Sequence, residues 1–368
     1  MLTAEYRKNV EATIGYFLEE ESPDQVIDPV WTGHLCKRLE QHWPEQVNRD
    51  ELTWLLDGGP MQVQSGPDRT AASDFTFTAP KAVSILAALA NDHSRQAVVQ
   101  AHLHAVKKGI ASLESIVTVR MSDSSAESMP ARRNQPGSGA VQMEEPEKKK
   151  KAMVRVRTNN LAAALFTHFC TRPVDGEPDP NLHTHCIIPR LSIRPDGKWA
   201  TMDIDIRENL RQMDGVYRDS LLEELLLLGV PATISVSLGI AIEGVTDPLL
   251  IAFSRRSRKI ATIAAVEYPE ADAVTRRAIA ISSREEKAKD VPWVEWIPRW
   301  QLRALEVLDK PHMDAIKQVL NSSVGESLVL KLHAHFLTKT EPSKPTTPTL
   351  KKPDVSFAPK VADRNAVG

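Results

Sequence analysis

Apolar positions along the chain change their period several times, and each change predicts an element. Near the N-terminus Val10, Ile14, Phe17 and Leu18 fall on one helical stripe. This predicts a helix over residues 3–21, with Thr3 as its cap and Glu5 in its first turn. Asp28-Pro29 and Trp31-Thr32-Gly33 predict a turn, short helices follow over 34–42 and 52–56, and Gly58-Gly59-Pro60 breaks the chain. From Asp74 to Thr78 the period drops to two, as in a half-buried strand. Phe75 and Phe77 face one way there, and Asp74, Thr76 and Thr78 the other. Thr78 is expected to cap a helix with Pro80 in its first turn and Val83, Leu86 and Ala90 along its stripe. A second helix is expected from Ser94, its cap, to Glu114.

The middle of the chain reads as strands. Met153 to Arg157 alternates, Asn159-Asn160 marks a turn, and Leu161 to Cys170 is an apolar strand. A loop of Pro, Gly and Asp over 173–181 leads into a strand through His183 and His185 that continues over 187–193. Pro195-Asp196-Gly197 is a hairpin turn before a strand over 198–202. These connections are too short for parallel crossovers, so the strands form an antiparallel meander. A helix over 206–229 ends at Gly229, one or two short strands occupy 231–245, and helices are expected over 248–263, 271–288 and 299–319. The pattern predicts an α+β fold: a central antiparallel β-sheet with flanking helices in a two-layer sandwich, the helices on one face and the candidate site on the other. Residues 1–290 are expected to form the main domain and 291–337 a helical C-terminal extension. Residues 121–151, with Pro136-Gly137-Ser138-Gly139 and the run Lys148 to Lys151, read as a flexible insertion. Residues 338–368, rich in Pro, Lys and Thr, read as a disordered tail.

Composition narrows the function classes. A formal net charge of −2 over 368 residues does not describe a protein that coats nucleic acid, so any DNA contact must come from a local patch. The 3 cysteines, Cys36, Cys170 and Cys186, form no CxxC pair and fit a reducing cytoplasm. No signal core and no apolar run of about 18 residues occurs, so no membrane segment is expected. No GxxxxGK[ST] loop for a nucleotide-driven motor is present.

The candidate chemistry lies in histidines. On a strand the side-chain period is two, so His183 and His185 share a face and can reach one small object together. His168 lies on a neighbouring apolar strand, and three neutral imidazoles make a site for a divalent metal with positions left open. The plainer reading is a packed or solvated pair. His102 and His104 have the same spacing but on a helix, about 200° apart, and cannot share an ion. Asp74 reads either as an edge carboxylate or as a partner of this site, Cys170 and Cys186 as packed thiols, and Tyr16, on its own, as a core aromatic.

Several of these segments resemble one family in collinear order. The stretch from Asp74 through Thr76-Phe77-Thr78-Ala79-Pro80-Lys81 to Ser84, the run Phe166 to Arg172, and Asp179-Pro180-Asn181-Leu182-His183-Thr184-His185 are similar to signature segments of the MobF-class conjugative relaxases, HUH endonucleases of the TrwC/TraI type. Asp196-Gly197-Lys198-Trp199 and Gly215-Val216-Tyr217 match in order, and Ile14-Gly15-Tyr16-Phe17 with Trp31-Thr32-Gly33 resembles the nucleophile segment. The resemblance implies a relaxase that nicks single-stranded DNA at a transfer origin during plasmid or mobile-element conjugation. It implies Tyr16 as the nucleophile that stays on the 5′ phosphate, and His168, His183 and His185 as ligands of a divalent ion. Mg2+ or Mn2+ is expected first, with Zn2+ or Ni2+ open. A tyrosine hydroxyl is mostly protonated at neutral pH, its ordinary pKa being about 10, so it needs a nearby base or metal. Asp74 then takes the proton or orients a ligand imidazole. Accessory relaxosome proteins and a coupling protein are the further partners implied.

Departures from the family pattern keep other readings open. Phe17 stands where a second tyrosine is common, and no tyrosine occurs between Tyr16 and Tyr217. Phe169 replaces a glutamate and Arg190 an asparagine. The alternatives are a non-catalytic or weakly active DNA-binding descendant, and a metal-dependent phosphodiesterase without a covalent step.

Overall fold

The structure is a computed structural model that describes residues 2–19, 23–39, 45–61, 70–122, 153–204, 206–237, 239–286, 291–308 and 314, with only the backbone at 206–208. The expected insertion, beyond residue 122, and the expected tail lie outside the described residues. In chain order the strands and α-helices are β1 (Leu2–Arg7), α1 (Val10–Ile14), β2 (Gln25–Thr32), α2 (His34–Leu39), α3 (Arg49–Leu56), β3 (Ala72–Thr78), α4 (Lys81–Leu89), α5 (Asp92–Glu114), β4 (Thr118–Ser122), β5 (Met153–Arg157), β6 (Ala163–Cys170), β7 (Pro180–Pro189), β8 (Leu191–Ile193), β9 (Trp199–Asp203), α6 (Ile206–Leu227), β10 (Ala232–Ser235), β11 (Gly239–Ile242), α7 (Asp247–Ala252), α8 (Arg255–Glu267), α9 (Ala273–Ser282) and α10 (Ile297–Val307).

A five-stranded antiparallel sheet in the order β1-β3-β7-β6-β2 organises the molecule. Its two faces follow from strand alternation. Phe75 and Phe77 of β3, Leu165 and Phe169 of β6, and Leu182, Cys186 and Ile188 of β7 face one way, into a core closed by apolar residues of α4, α5, α6 and α10. Trp296 and Trp300 belong to that core. Ala72, Ala164, Phe166 and Ile187 face the other way, into a smaller cluster with Ile14, Phe17, Leu35, Leu52 and Leu55. Helices therefore flank both faces: α1, α2 and α3 cover part of the face that the alternation reserved for the site. A second sheet, β5-β4-β9-β8, and a β10-β11 hairpin complete the described fold.

Several expectations from periodicity give way to tertiary pairing. Residues 3–7 are not helical. Leu2 to Arg7 also alternates with period two, and the open edge of β3 supplies hydrogen-bond partners along its whole length. The helix starts at Val10, capped by Asn9, whose Oδ1 accepts from Ala12 N at 2.9 Å. The turn expected at 28–33 is strand β2, whose register shifts around Pro29 are tolerated because it lies at the sheet edge. Thr78 remains in β3, and Pro80 takes the cap position of α4. Asn91 rather than Ser94 caps α5, accepting from Ser94 N at 2.9 Å. The helix expected over 248–263 is interrupted at Phe253 and Ser254, and the strand expected over 187–193 leaves the first sheet at Pro189 to enter the second as β8.

The joint between β2 and α2 is tight. Gly33 has φ +105°, and a Cβ there would meet Leu161 O at 2.2 Å. Gly33→Ala is expected to destabilise the fold by about 2–3 kcal/mol through left-handed strain alone, with the clash adding to it. A urea midpoint unchanged from the parent protein would contradict this account.

Candidate functional site

Strand register sets three imidazoles against one another. In the β6–β7 pairing His168 lies opposite His183, and Phe166 opposite His185. In the β3–β7 pairing Thr76 lies opposite His185 and Thr78 opposite His183. All three histidines and Asp74 share the face on which the smaller apolar cluster packs. Ring centres are 5.4 Å apart for His168–His183, 5.4 Å for His183–His185 and 5.8 Å for His168–His185.

Each imidazole is oriented through Nδ1. His183 Nδ1 donates to Asn181 O at 2.8 Å, His185 Nδ1 lies 3.0 Å from Asp74 Oδ1, and His168 Nδ1 lies 3.2 Å from Asp24 Oδ1. Thr76 Oγ1 also approaches His185 Nδ1, at 3.0 Å. Acceptors at all three Nδ1 atoms favour the tautomer that carries its proton there and leaves the Nε2 lone pair for a ligand. The donor set suits a divalent ion. Metal–nitrogen bonds of about 2 Å would hold such ring centres roughly 5 Å apart, so these rings stand slightly wider than a closed site. In keeping with that, no three His, Cys, Asp or Glu side chains among the described residues are drawn in to ligating geometry.

Electrostatics follow from burial. Burial, then the neighbouring His185 and His168, push His183 down to about 3. Burial opposes ionisation of Asp74, but its hydrogen bond and charge contact with His185, together with Arg7, outweigh it and hold the carboxyl below its ordinary value. Arg7 Nε donates to Asp74 Oδ2 at 3.1 Å, and Nη2 donates to the same oxygen.

Tyr16 reaches this face through a break in regular helix. Residues Gly15–Glu19 form a π-helical turn directly after α1, a form common at functional sites. Phe17 is buried there, its ring 4.7 Å from Phe166 and 5.2 Å from His185. Tyr16 is 38% exposed, with its ring centre 6.4 Å from that of His185. The structure thus brings Tyr16, Asp74, His168, His183 and His185 together. Two of the three departures in sequence, Phe169 and Arg190, fall outside the imidazole triangle. Phe169 points through the sheet into the main core, against Trp293 at 5.0 Å and Trp300 at 5.7 Å. Arg190 lies beyond the end of β7 and donates to Met202 O from Nε at 3.1 Å and from Nη2 at 3.0 Å.

The roles of three residues at the site escaped sequence reasoning. Arg7 and Asp24 lie in stretches whose periodicity suggested helix or loop, and nothing local marks either as a partner of β3 or β6. Asp179, just ahead of β7, is fully buried. It accepts from Arg255 N at 2.8 Å, Arg255 Nε at 2.9 Å and Arg303 Nη1 at 2.7 Å, and so docks α8 and α10 beside the histidine strand.

The other histidine pair is structural at His102. Its Nδ1 contacts Tyr217 OH at 2.8 Å and its Nε2 contacts Thr184 Oγ1 at 2.9 Å, which in turn meets Thr167 Oγ1 at 2.9 Å. This chain braces β6 and β7 from beneath. Burial pushes His102 down to about 3, so the folded state keeps the ring neutral while the unfolded chain protonates below about 6.5. Stability from this group is complete above about 6.5 and lost as pH falls toward 3. His102→Gln, neutral throughout, is expected to flatten the stability slope between pH 4 and 6 by about 1 kcal/mol per pH unit. Urea unfolding at several pH values measures it, and parallel slopes would contradict it.

Known proteins resemble this chain. The family model described as TrwC relaxase matches residues 2–136 and 139–307. The multifunctional conjugation protein TraI of Escherichia coli strain K12 is 26% identical over 289 residues, covering 73% of this chain and 14% of that protein. A second TraI from Escherichia coli is 27% identical over 183 residues, 48% of this chain and 8% of that protein. The chain therefore spans only a small part of these relatives' length. Among solved structures, conjugative relaxase TrwC in complex with OriT DNA superposes in its metal-bound form with a TM-score of 0.65 at 23% identity, covering 83% of this chain and 98% of that one. TrwC complexed with a 27-mer DNA comprising the recognition hairpin and the cleavage site superposes with a TM-score of 0.64 at 22% identity, covering 83% and 98%. At these identities the superpositions establish the α+β fold, and the family match, which runs through Tyr16, Asp74 and all three histidines, establishes that the chain belongs to the TrwC relaxase family.

Proposed function

We propose that this chain is a site- and strand-specific DNA relaxase that nicks single-stranded DNA at a transfer origin by tyrosine transesterification, for conjugation of a plasmid or mobile element. One observation carries the reading: Tyr16, partly exposed, stands over His185 on the one sheet face where three oriented imidazoles and a buried carboxylate meet. Family membership and the DNA complexes of TrwC support it.

In this reading Tyr16 Oη gives up its proton to solvent water and forms a bond to the scissile phosphorus, the 3′ oxygen leaves and takes up a proton from water, and the 5′ phosphate remains on the tyrosine. His168, His183 and His185 would hold a divalent ion, which supplies Lewis-acid stabilisation of charge on the phosphate oxygens. Metal-bound TrwC supports an ion of this kind; the phosphate oxygens suit Mg2+ or Mn2+, and the three imidazoles suit Zn2+ or Ni2+. Asp74 acts by holding His185 rather than by taking the proton of Tyr16, since Oδ1 faces His185 and Oδ2 is occupied by Arg7. The reaction would take place in the cytoplasm with accessory relaxosome proteins and a coupling protein. No described helix is long and apolar enough to cross a membrane. Residues 1–290 with the segment around α10 would form the relaxase domain.

The test is incubation with Mn2+ or Mg2+ and single strands tiling the DNA that flanks the gene. The expected product is a covalent adduct on one strand only, mapped to Tyr16 by peptide mass spectrometry. Cleavage with no protein-bound DNA would favour the phosphodiesterase reading, and binding without cleavage the non-catalytic one.

A further inference from the structure

Arg7 is placed to do more than hold Asp74. It sits at the end of edge strand β1, opposite Ala72, on the site face of the sheet. Two of its nitrogens, Nε and Nη2, converge on Asp74 Oδ2, which fixes the plane of the guanidinium. Its Cζ lies 5.8 Å from the Tyr16 ring centre and 5.6 Å from that of Phe17. The Arg7 side chain keeps 28% of its surface exposed, against 2% for Asp74. Among the described residues Nη1 makes no hydrogen bond. The site therefore holds a planar cation beside the nucleophile, anchored along one edge and open along the other.

Such a cation suits one class of ligand. A guanidinium presents its donors in a rigid fork matched to phosphate oxygens, and a fork already fixed by a carboxylate loses little freedom on gripping a second anion. Its ion-pair partner among the described residues, Asp74, also faces His185, so the carboxylate is shared between two groups. Cation–π contact with Tyr16 and Phe17 alone does not require the double hydrogen bond to Asp74, whereas precise placement of a phosphate donor does.

We propose that Arg7 donates from Nη1 to a non-bridging oxygen of the scissile phosphate, holding the phosphorus in line with Tyr16 Oη and stabilising the charge that develops there. This rests on the relaxase reading and adds to it a second phosphate-binding group from outside the three histidines. No bond to Arg7 is made or broken, and its proton stays on nitrogen throughout. The imidazoles and Arg7 approach the phosphate from different strands, β6 and β7 on one side and β1 on the other. An ion held by the imidazoles and Arg7 would therefore engage different non-bridging oxygens.

The experiment compares the parent protein, Arg7→Lys, Arg7→Gln and Tyr16→Phe on a strand that the parent cleaves. Each is tested with an ordinary phosphate and with the two separated methylphosphonate diastereomers at the scissile position, in Mn2+. On ordinary phosphate Arg7→Gln is expected to slow single-turnover adduct formation about 100-fold, as loss of one preorganised donor does, with Arg7→Lys in between. On the diastereomer that lacks the oxygen held by Arg7, parent and Arg7→Gln should react within about twofold of each other. Equal loss on ordinary phosphate and on both diastereomers would overturn the proposal and leave Arg7 acting through Asp74 alone. A parent that forms adduct while Arg7→Gln matches it would overturn the proposal and leave the relaxase reading standing. A parent that forms no Tyr16-dependent adduct on any strand would overturn both. Arg7→Lys keeps the charge beside Asp74, so a fully active Arg7→Lys with an unfolded Arg7→Gln would also count against the proposal.

Discussion

Tyr16→Phe is expected to abolish covalent capture of DNA, lowering strand cleavage at least about 1000-fold while leaving folding and strand binding within a factor of about two. The substitution removes one oxygen from a partly exposed ring. The ring's contacts, 4.7 Å to Phe17 and 5.8 Å to the Arg7 guanidinium, need no hydroxyl. No other tyrosine can substitute. Tyr217 is fully buried in the main core, across the sheet from the imidazoles, with its hydroxyl against His102. Tyr6 shares the face of Leu2 and Ala4, again opposite to the site, and Tyr268 follows the C-terminal end of α8. Phe17 occupies the position nearest His185 but is packed on Phe166 and carries no nucleophile. Under the proposed relaxase reading, a single usable hydroxyl in this chain would route rejoining through Tyr16, by reversal of the same step or by a second copy of the chain. The measurement is an SDS-stable adduct assay beside a mobility-shift titration. Cleavage by Tyr16→Phe at the parent rate would exclude the covalent mechanism.

How much of this site could be read from the sequence depends on which interactions were local. The period-two runs at Asp74–Thr78 and at His183–His185 placed those side chains on one face correctly, because strand alternation is a property of the backbone. The same rule, applied one residue past His168, places Phe169 on the opposite face, so its departure from the family pattern bears on core packing. Strand β1 was not legible. Leu2 to Arg7 fits a helix start as well as an alternating strand, and only the unpaired edge of β3 decides between them. With β1 misread, Arg7 had no visible route to Asp74, 67 residues away in sequence. Asp24 was hidden in the same way, since its contact with His168 spans 144 residues. The cap at Thr3 failed with β1, and the cap at Ser94 failed because α5 starts three residues earlier, where Asn91 accepts from Ser94 N itself.

Removing one imidazole should have the next largest effect, and it should be graded by position. His183→Ala is expected to weaken Mn2+ binding at least about 100-fold and to remove cleavage in parallel, while Asp24→Ala, which only loosens His168, should cost about 10–100-fold in metal affinity. The difference follows from geometry. His183 is one corner of the imidazole triangle, 5.4 Å from each of the other rings, so its loss leaves His168 and His185 as a pair 5.8 Å apart with no third imidazole. Asp24 instead sets the orientation of one ring that remains present. Protons should compete little for the His183 nitrogen, because burial and its two neighbours hold that ring neutral down to about 3. Affinity at His183 should therefore change little between pH 6 and 8, and any fall below that range would report on other groups. Isothermal titration with MnCl2 of the parent, His183→Ala and Asp24→Ala measures the ladder. If His183→Ala keeps its affinity within about threefold, the ion sits elsewhere, and cleavage by that variant would then assign the chemistry to Tyr16 and the residues of β1 and β3.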